Sequence, residues 1–231
     1  MVEATAIIKA EKYEIVQKGA GIKDVLERNM GGESINAFDL KRVKVPAGGA
    51  TVWMVPSITG DQPEKVITGV IVFQKLGRQY WSEGIEAGGG GSPPDCFSDN
   101  SITGHGEPGG SCADCEMSQW GSSPRGGRGQ ACSQTRQLFV IRPKDMMPIM
   151  INVPPSSLNA AKAYLFGLTS ENVSYERVIT SLGLIKARNR DGIEYAQIAF
   201  TCEGVIPVET ADRFSKLRDS LAPKFSSVRG G

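Results

Sequence analysis

Four cysteines carry the most specific chemical pattern in the chain: Cys96, fifteen residues, Cys112, two residues, Cys115, sixteen residues, and Cys132. A Cys-x-x-Cys pair lets two thiolates of one tight turn reach a single tetrahedral ion, and the two distant cysteines close the other half of the shell. Zinc is the expected ion. Four thiolates leave no position for a substrate water, so the expected role is structural. Other readings compete with it. Four unligated thiols need apolar surroundings, of which the segment has few. A redox Cys-x-x-Cys needs an electropositive setting, whereas Asp114 and Glu116 flank Cys115. His105, the only histidine, lies between the first two cysteines and is an alternative ligand. Cys202, in the strand-like run IAFTCEG, reads as a packed small residue.

No constellation for catalysis is found. The chain lacks a phosphate-cradling GxxxxGK[ST] motif and a carboxylate cluster of the two-metal type, and any nucleophile and base pair would have to use His105. We therefore expect a protein that is not an enzyme. Five cysteines, an odd number, in a chain whose first residues mix charges into every short apolar stretch point to metal binding in a reducing compartment rather than to disulfides. No run approaches the roughly 18 to 20 apolar residues of a membrane-spanning helix, so neither export nor membrane residence is expected.

The formal net charge of +1 hides an uneven distribution. Between Met117 and Lys144 stand Arg125, Arg128, Arg136, Arg142 and Lys144, with no acidic residue. The run SQWGSSPRGGRGQ sets Trp120 beside arginines on glycine-flanked backbone, which suits phosphate contacts and base stacking on single-stranded nucleic acid. The alternative is a solubilising loop with Trp120 packed on the cysteine knuckle. Lys41, Arg42 and Lys44, and likewise Lys186, Arg188 and Arg190, form two further basic sites or two ordinary solvated faces. Tyr80 and Trp81 are adjacent, so in a strand they point to opposite faces, and Trp81 is the candidate left free for a base.

The elements that must position these residues read as mainly β. Residues 38–46 (FDLKRVKVP) alternate as a strand, followed by TVWMV (51–55), a polar turn over 59–64, and the long run 66–81, bent at Gly69 or Gly77. From Gly84 to Arg136 lie thirteen of the 28 glycines and four of the five cysteines, a composition that cannot build an ordinary core. Beyond it, 136–141 and 146–153 read as a strand pair around the turn 142–145. A Ser-capped amphipathic helix follows over SSLNAAKAYLFGL, with Leu158, Ala161 and Leu165 on one face. A hairpin over 178–187 and 193–201 turns at Asn189–Gly192. The last element is a helix from Thr210 bearing Ala211, Phe214, Leu217 and Leu221. The expected organisation is an N-terminal arm (1–35), a β-rich domain (36–222) holding a zinc-binding insertion (84–136), and a C-terminal tail (223–231).

The segments FDLKRVKVPAGGATVWMVP, GVIVFQKLGRQYW, SPPDC, CADCEMSQWGS, GRGQAC and RQLFVI, with PPSSL opening the helix, resemble a family of phage and mobile-element single-stranded-DNA-binding proteins with an OB-fold and an embedded four-cysteine insertion. The resemblance spans about residues 36 to 200. It implies an OB-fold-like five-stranded barrel with a zinc-binding insertion and a C-terminal helix, the four cysteine ligands already named, and work in the bacterial host cytoplasm. The terminal SSVRGG differs from the acidic tail through which many such proteins recruit partners. Residues and resemblance together lead to a non-enzymatic single-stranded-DNA-binding protein of phage or mobile-element replication or recombination. The alternative is a zinc-stabilised module that binds other replication or recombination proteins. A duplex-reading regulator is disfavoured, because no recognition helix with base-reading side chains is apparent.

Overall fold

The computed structural model describes residues 22–33, 39–82, 94–124, 126, 128–189 and 192–226, the side chains of 22, 23 and 220–226 excepted. The first 21 residues of the arm, Phe38, the insertion from Gly84 to residue 93, Arg125, Arg190 and the last five residues lie outside the described set. The chain divides into two units, one drawn from residues 1–74 and 138–227 and the other from residues 75–137.

The first unit is mainly β. Its strands are β1 (Arg42–Val43), β2 (Trp53–Val55), β3 (Gln62–Glu64), the first part of β4 (Val66–Tyr80), the last part of β8 (Ser133–Ile141), β9 (Ile149–Val153), β10 (Val178–Arg188) and β11 (Glu194–Val205). Ile67, Val70, Ile71 and Val72 on β4 and Leu138 to Ile141 on β8 are all buried, so both faces of these strands are covered, as their uninterrupted apolar runs require. β4 is unbroken at Gly69. A Cβ there would stand 2.5 Å from the Ile141 carbonyl oxygen, so glycine serves close approach of two strands rather than a bend.

Within this unit the strand order is β1-β9-β8-β4-β10-β11. β10 runs antiparallel to both β4 and β11, while β1 lies parallel to β9, so the sheet is mixed. Among the described residues it is open: β11 pairs with β10 alone, and β1, two residues long, pairs with β9. The sheet does not close into the expected OB-fold-like five-stranded barrel. The expected strand over 38–46 contracts to Arg42–Val43, and Leu40 and Val43 are both buried, which breaks the alternation. β3 occupies part of the expected polar turn and pairs antiparallel with β2. Trp53 on β2 is fully buried and donates its indole N–H to the Leu182 carbonyl at 2.9 Å. One core joins Val43, Trp53, Val55, Ile67, Ile71, Leu138, Val140, Ile149, Ile151, Val153, Ala161, Leu182, Leu184, Ala196 and Ile198.

Among the described residues there are three α-helices, α1 (Ile22–Met30), α2 (Leu158–Ser170) and α3 (Val208–Ser226). α2 is entered through a 3-10 turn over Pro155–Ser157, and Ser157 makes no side-chain cap. Its buried hydroxyl instead accepts the Ile198 N–H at 3.0 Å, spending the cap on a tie to β11. Ala161 and Leu168 are buried, and Tyr164 stacks on Phe200 with ring centroids 5.5 Å apart. α3 buries Ala211 and Phe214 and runs to Ser226, four residues into the segment expected as tail.

The second unit starts on the outer part of β4 and adds β5 (Cys96–Ser98), β6 (Thr103–Gly106), β7 (Gly110–Ser111), a 3-10 turn over Glu116–Ser118 and the first part of β8. β5 pairs antiparallel with residues 78–80 of β4, β6 with β5, and β7 with β6. Among its described residues the only buried apolar side chains are Cys96, Cys112 and Cys132. The segment thus folds into strands and turns without an aliphatic core.

Candidate functional site

Backbone pairing and one hydroxyl build the site from separate pieces of the second unit. Cys96 stands on β5 between Tyr80 of β4 and Gly106 of β6. The Cys112 N–H donates to the Ile102 carbonyl at 2.8 Å, and the Cys132 N–H to the Met117 carbonyl at 2.7 Å, which brings the distant cysteine back to the knuckle. Between Cys112 and Cys115 the turn is held by Ser118, whose hydroxyl lies 2.6 Å from the Cys112 carbonyl oxygen and 2.8 Å from that of Cys115. The Gln119 side-chain amide donates to the Ala113 carbonyl at 2.8 Å. Each bond satisfies a backbone group of the turn.

The result is that Cys96, Cys112, Cys115 and Cys132 line one cavity, with Arg78, Phe97, Ser98, Gly104, Gly109 and Ser118 as its other walls. Its volume is about 10 Å3, near that of a single water-sized occupant. A Cβ on Gly104 would stand 3.1 Å from the Cys96 sulfur, so a side chain there would crowd the thiol. Burial pushes the Cys132 thiol above its ordinary pKa, with the charge and hydrogen bond of Arg78 opposing and Cys96 and Cys112 adding to the rise. All four cysteines are free thiols. Among the described residues no group of three or more His, Cys, Asp or Glu side chains has, as it stands, the arrangement that holds a metal ion.

His105 is not a wall of the cavity. It is exposed on β6 and lies against Phe97, ring centroids 5.5 Å apart. The alternation of β6 turns its side chain away from the thiols, which removes the sequence argument for it as a ligand. Cys202 is exposed on β11 rather than packed.

The residues expected to meet nucleic acid divide between the units. In the second, Trp120 is 78% exposed rather than packed on the knuckle. It sits on a loop closed by a Gly121 N–H to Gly129 carbonyl bond of 2.9 Å and by Ser122, whose hydroxyl accepts the Ala131 N–H at 2.9 Å. Arg128 is exposed on the same loop, and Arg125 lies outside the described residues. Arg136 is half-buried, and burial pulls its guanidinium below the ordinary pKa. Trp81 and Tyr80 are both half-buried, so neither offers a fully open ring.

In the first unit, Lys41, Arg42 and Lys44 are exposed, although partial burial of the Arg42 guanidinium lowers its pKa. Lys186 and Arg188 are exposed at the β10–β11 tip, where both pair with Glu194, at 2.5 and 2.7 Å, and hold that carboxyl below its ordinary pKa. A Cβ on Gly49 would stand 3.2 Å from Lys186, so the turn after the first basic cluster rests against the second. Arg190 lies outside the described residues. Arg142, counted in the basic run, is neutralised by Glu64 at 2.7 Å and Asp145 at 2.6 Å, partners invisible to a scan that stops at Lys144.

Sequence reasoning missed Arg78 and Ser118. Ser118 had a signal, as a hydroxyl three residues after the second knuckle cysteine. Arg78 had none, since only the pairing of β4 with β5 carries it to the thiols. Among the described residues no helix is long and apolar enough to cross a membrane. Compared with family models, curated proteins and solved structures, the chain matches none of them.

Proposed function

We propose that this protein is a non-enzymatic single-stranded-DNA-binding protein of phage or mobile-element replication or recombination, working in the bacterial host cell with a structural zinc ion. The observation that carries the reading is the solvent-facing Trp120, 78% exposed, beside Arg128 on a loop anchored by the cysteine knuckle. An open indole offers any base a stacking face, and nearby arginines neutralise phosphates, so binding is expected to be sequence-tolerant and salt-sensitive. Zinc is supported by the donor set: four thiols on one cavity of atomic size, in a unit with no other buried apolar side chain among its described residues. Cys96, Cys112, Cys115 and Cys132 would hold it, and a tetrathiolate zinc supplies folding free energy rather than a reactive water. An OB-like kinship of the first unit belongs to the same proposal, supported by the helix ahead of the last hairpin and by the insertion between earlier strands.

The test is a fluorescence-anisotropy titration of labelled single-stranded and duplex DNA at several salt concentrations, with the zinc content of the protein measured. Tighter single-strand binding with a steep salt slope supports the reading. Absence of binding at low salt by zinc-loaded protein overturns it in favour of a zinc-stabilised protein-interaction module. That second reading draws on the exposed Ile185 and Ile193 at the hairpin tip, where Glu194 already offsets the basic charge.

A further inference from the structure

We infer that Arg78 is the charge-compensating residue of the cysteine cavity, a cation built into the strand wall to offset the negative charge of a metal tetrathiolate. The inference rests on the zinc reading above and extends it to a residue that is not a ligand. Arg78 lies on β4 opposite Ser98 and shares the cavity wall with all four cysteines. One guanidinium nitrogen reaches the Cys132 carbonyl oxygen at 3.4 Å, a long bond. Its Nε is buried and has no hydrogen-bond partner among the described residues.

Two other partly buried arginines meet carboxylates, whereas the Nε of Arg177, like that of Arg78, is buried without a hydrogen-bond partner among the described residues. Arg142 is held by Glu64 and Asp145, and Arg218 by Glu176 and Asp219. Among the described residues Arg78 makes no such ion pair, yet arginine stays protonated and a guanidinium partly withdrawn from water without an anion is unfavourable. The groups that do face it are thiols. Neutral thiols cannot serve as its counter-charge. Four thiolates around one divalent cation carry a net charge of −2, and a single arginine halves it. The guanidinium and the sulfur centre therefore complete each other, and Arg78 is a positioning residue that favours the deprotonated, metal-bound state of the cysteines.

The experiment uses the full chain as wild type, Arg78→Gln and Arg78→Lys. Glutamine keeps an N–H donor for the Cys132 carbonyl and removes the charge; lysine keeps the charge and removes the planar fork. Zinc per chain is measured first, then zinc affinity by competition with a chromophoric chelator, with folding followed by circular dichroism. The expected result is one zinc per wild-type chain, affinity about 10- to 100-fold weaker in Arg78→Gln, and affinity within about threefold of wild type in Arg78→Lys. Wild-type affinity in a folded Arg78→Gln overturns the role of Arg78 and leaves the zinc site standing. Absence of zinc from wild type overturns the zinc reading and this inference with it. Should Arg78→Gln not fold, Arg78→Lys decides: retained zinc supports charge compensation, and a folded lysine variant that has lost zinc overturns it.

Discussion

Trp120 shows how one side chain separates binding from stability. With 78% of its surface exposed, it contributes little to the packing of the second unit. Trp120→Ala should weaken single-strand binding by roughly 1 to 3 kcal/mol and leave the thermal midpoint unchanged. A drop in midpoint with unaltered affinity would assign the indole to the fold instead. Arg128 is exposed on the same loop; on the proposed reading it meets phosphate, so Arg128→Ala should lower the salt slope by about one unit, read from titrations at several salt concentrations. At this scale residue type and short spacing singled out the four cysteines that share one cavity, while the choice between an exposed and a packed Trp120 was left to the structure. The sequence could not expose Arg78, whose role depends on a strand partner twenty residues away, nor the retirement of Arg142 by Glu64.

Elements are fastened to the first unit by a few polar groups whose chemistry can be titrated. Tyr164 on α2 shares a 2.8 Å hydrogen bond with Thr180 on β10, and burial pushes its phenol up to about 12 from an ordinary 10.0. The folded state therefore holds the proton more tightly than the unfolded chain. This contribution to stability is complete below pH 10 and is lost as pH rises toward 12. Urea titrations across that window should show falling stability, and Tyr164→Phe should flatten the fall. α3 is held through Arg218, which pairs with the buried carboxylate of Glu176. Arg218→Ala should destabilise the protein by about 1 to 3 kcal/mol, below the full figure for buried pairs because the arginine is partly exposed. Adding Glu176→Gln should recover part of the loss in the same denaturation assay. Element type followed from periodicity for β4, β10, β11, α2 and α3. β3 did not, since Gln62–Glu64 has no strand propensity and exists by pairing with β2.

Across the whole molecule, the two units rest on different physics. The fifteen residues of the main core all belong to the first unit, whereas among its described residues the second buries only cysteines as apolar side chains. Removal of zinc by a strong chelator should unfold residues 75–137 while the first unit keeps its protected amides, as read by hydrogen exchange. Uniform protection with and without chelator would reject a structural metal. The sequence by itself determined the β-rich character and the identity of the four cavity thiols, because these follow from local periodicity and from cysteine spacing. Only the tertiary structure decided that the sheet stays open, that His105 turns away from the thiols, and that Arg78 turns toward them. Those outcomes depend on which strand edges meet and in which register, and registry between distant segments is written in no short stretch of residues.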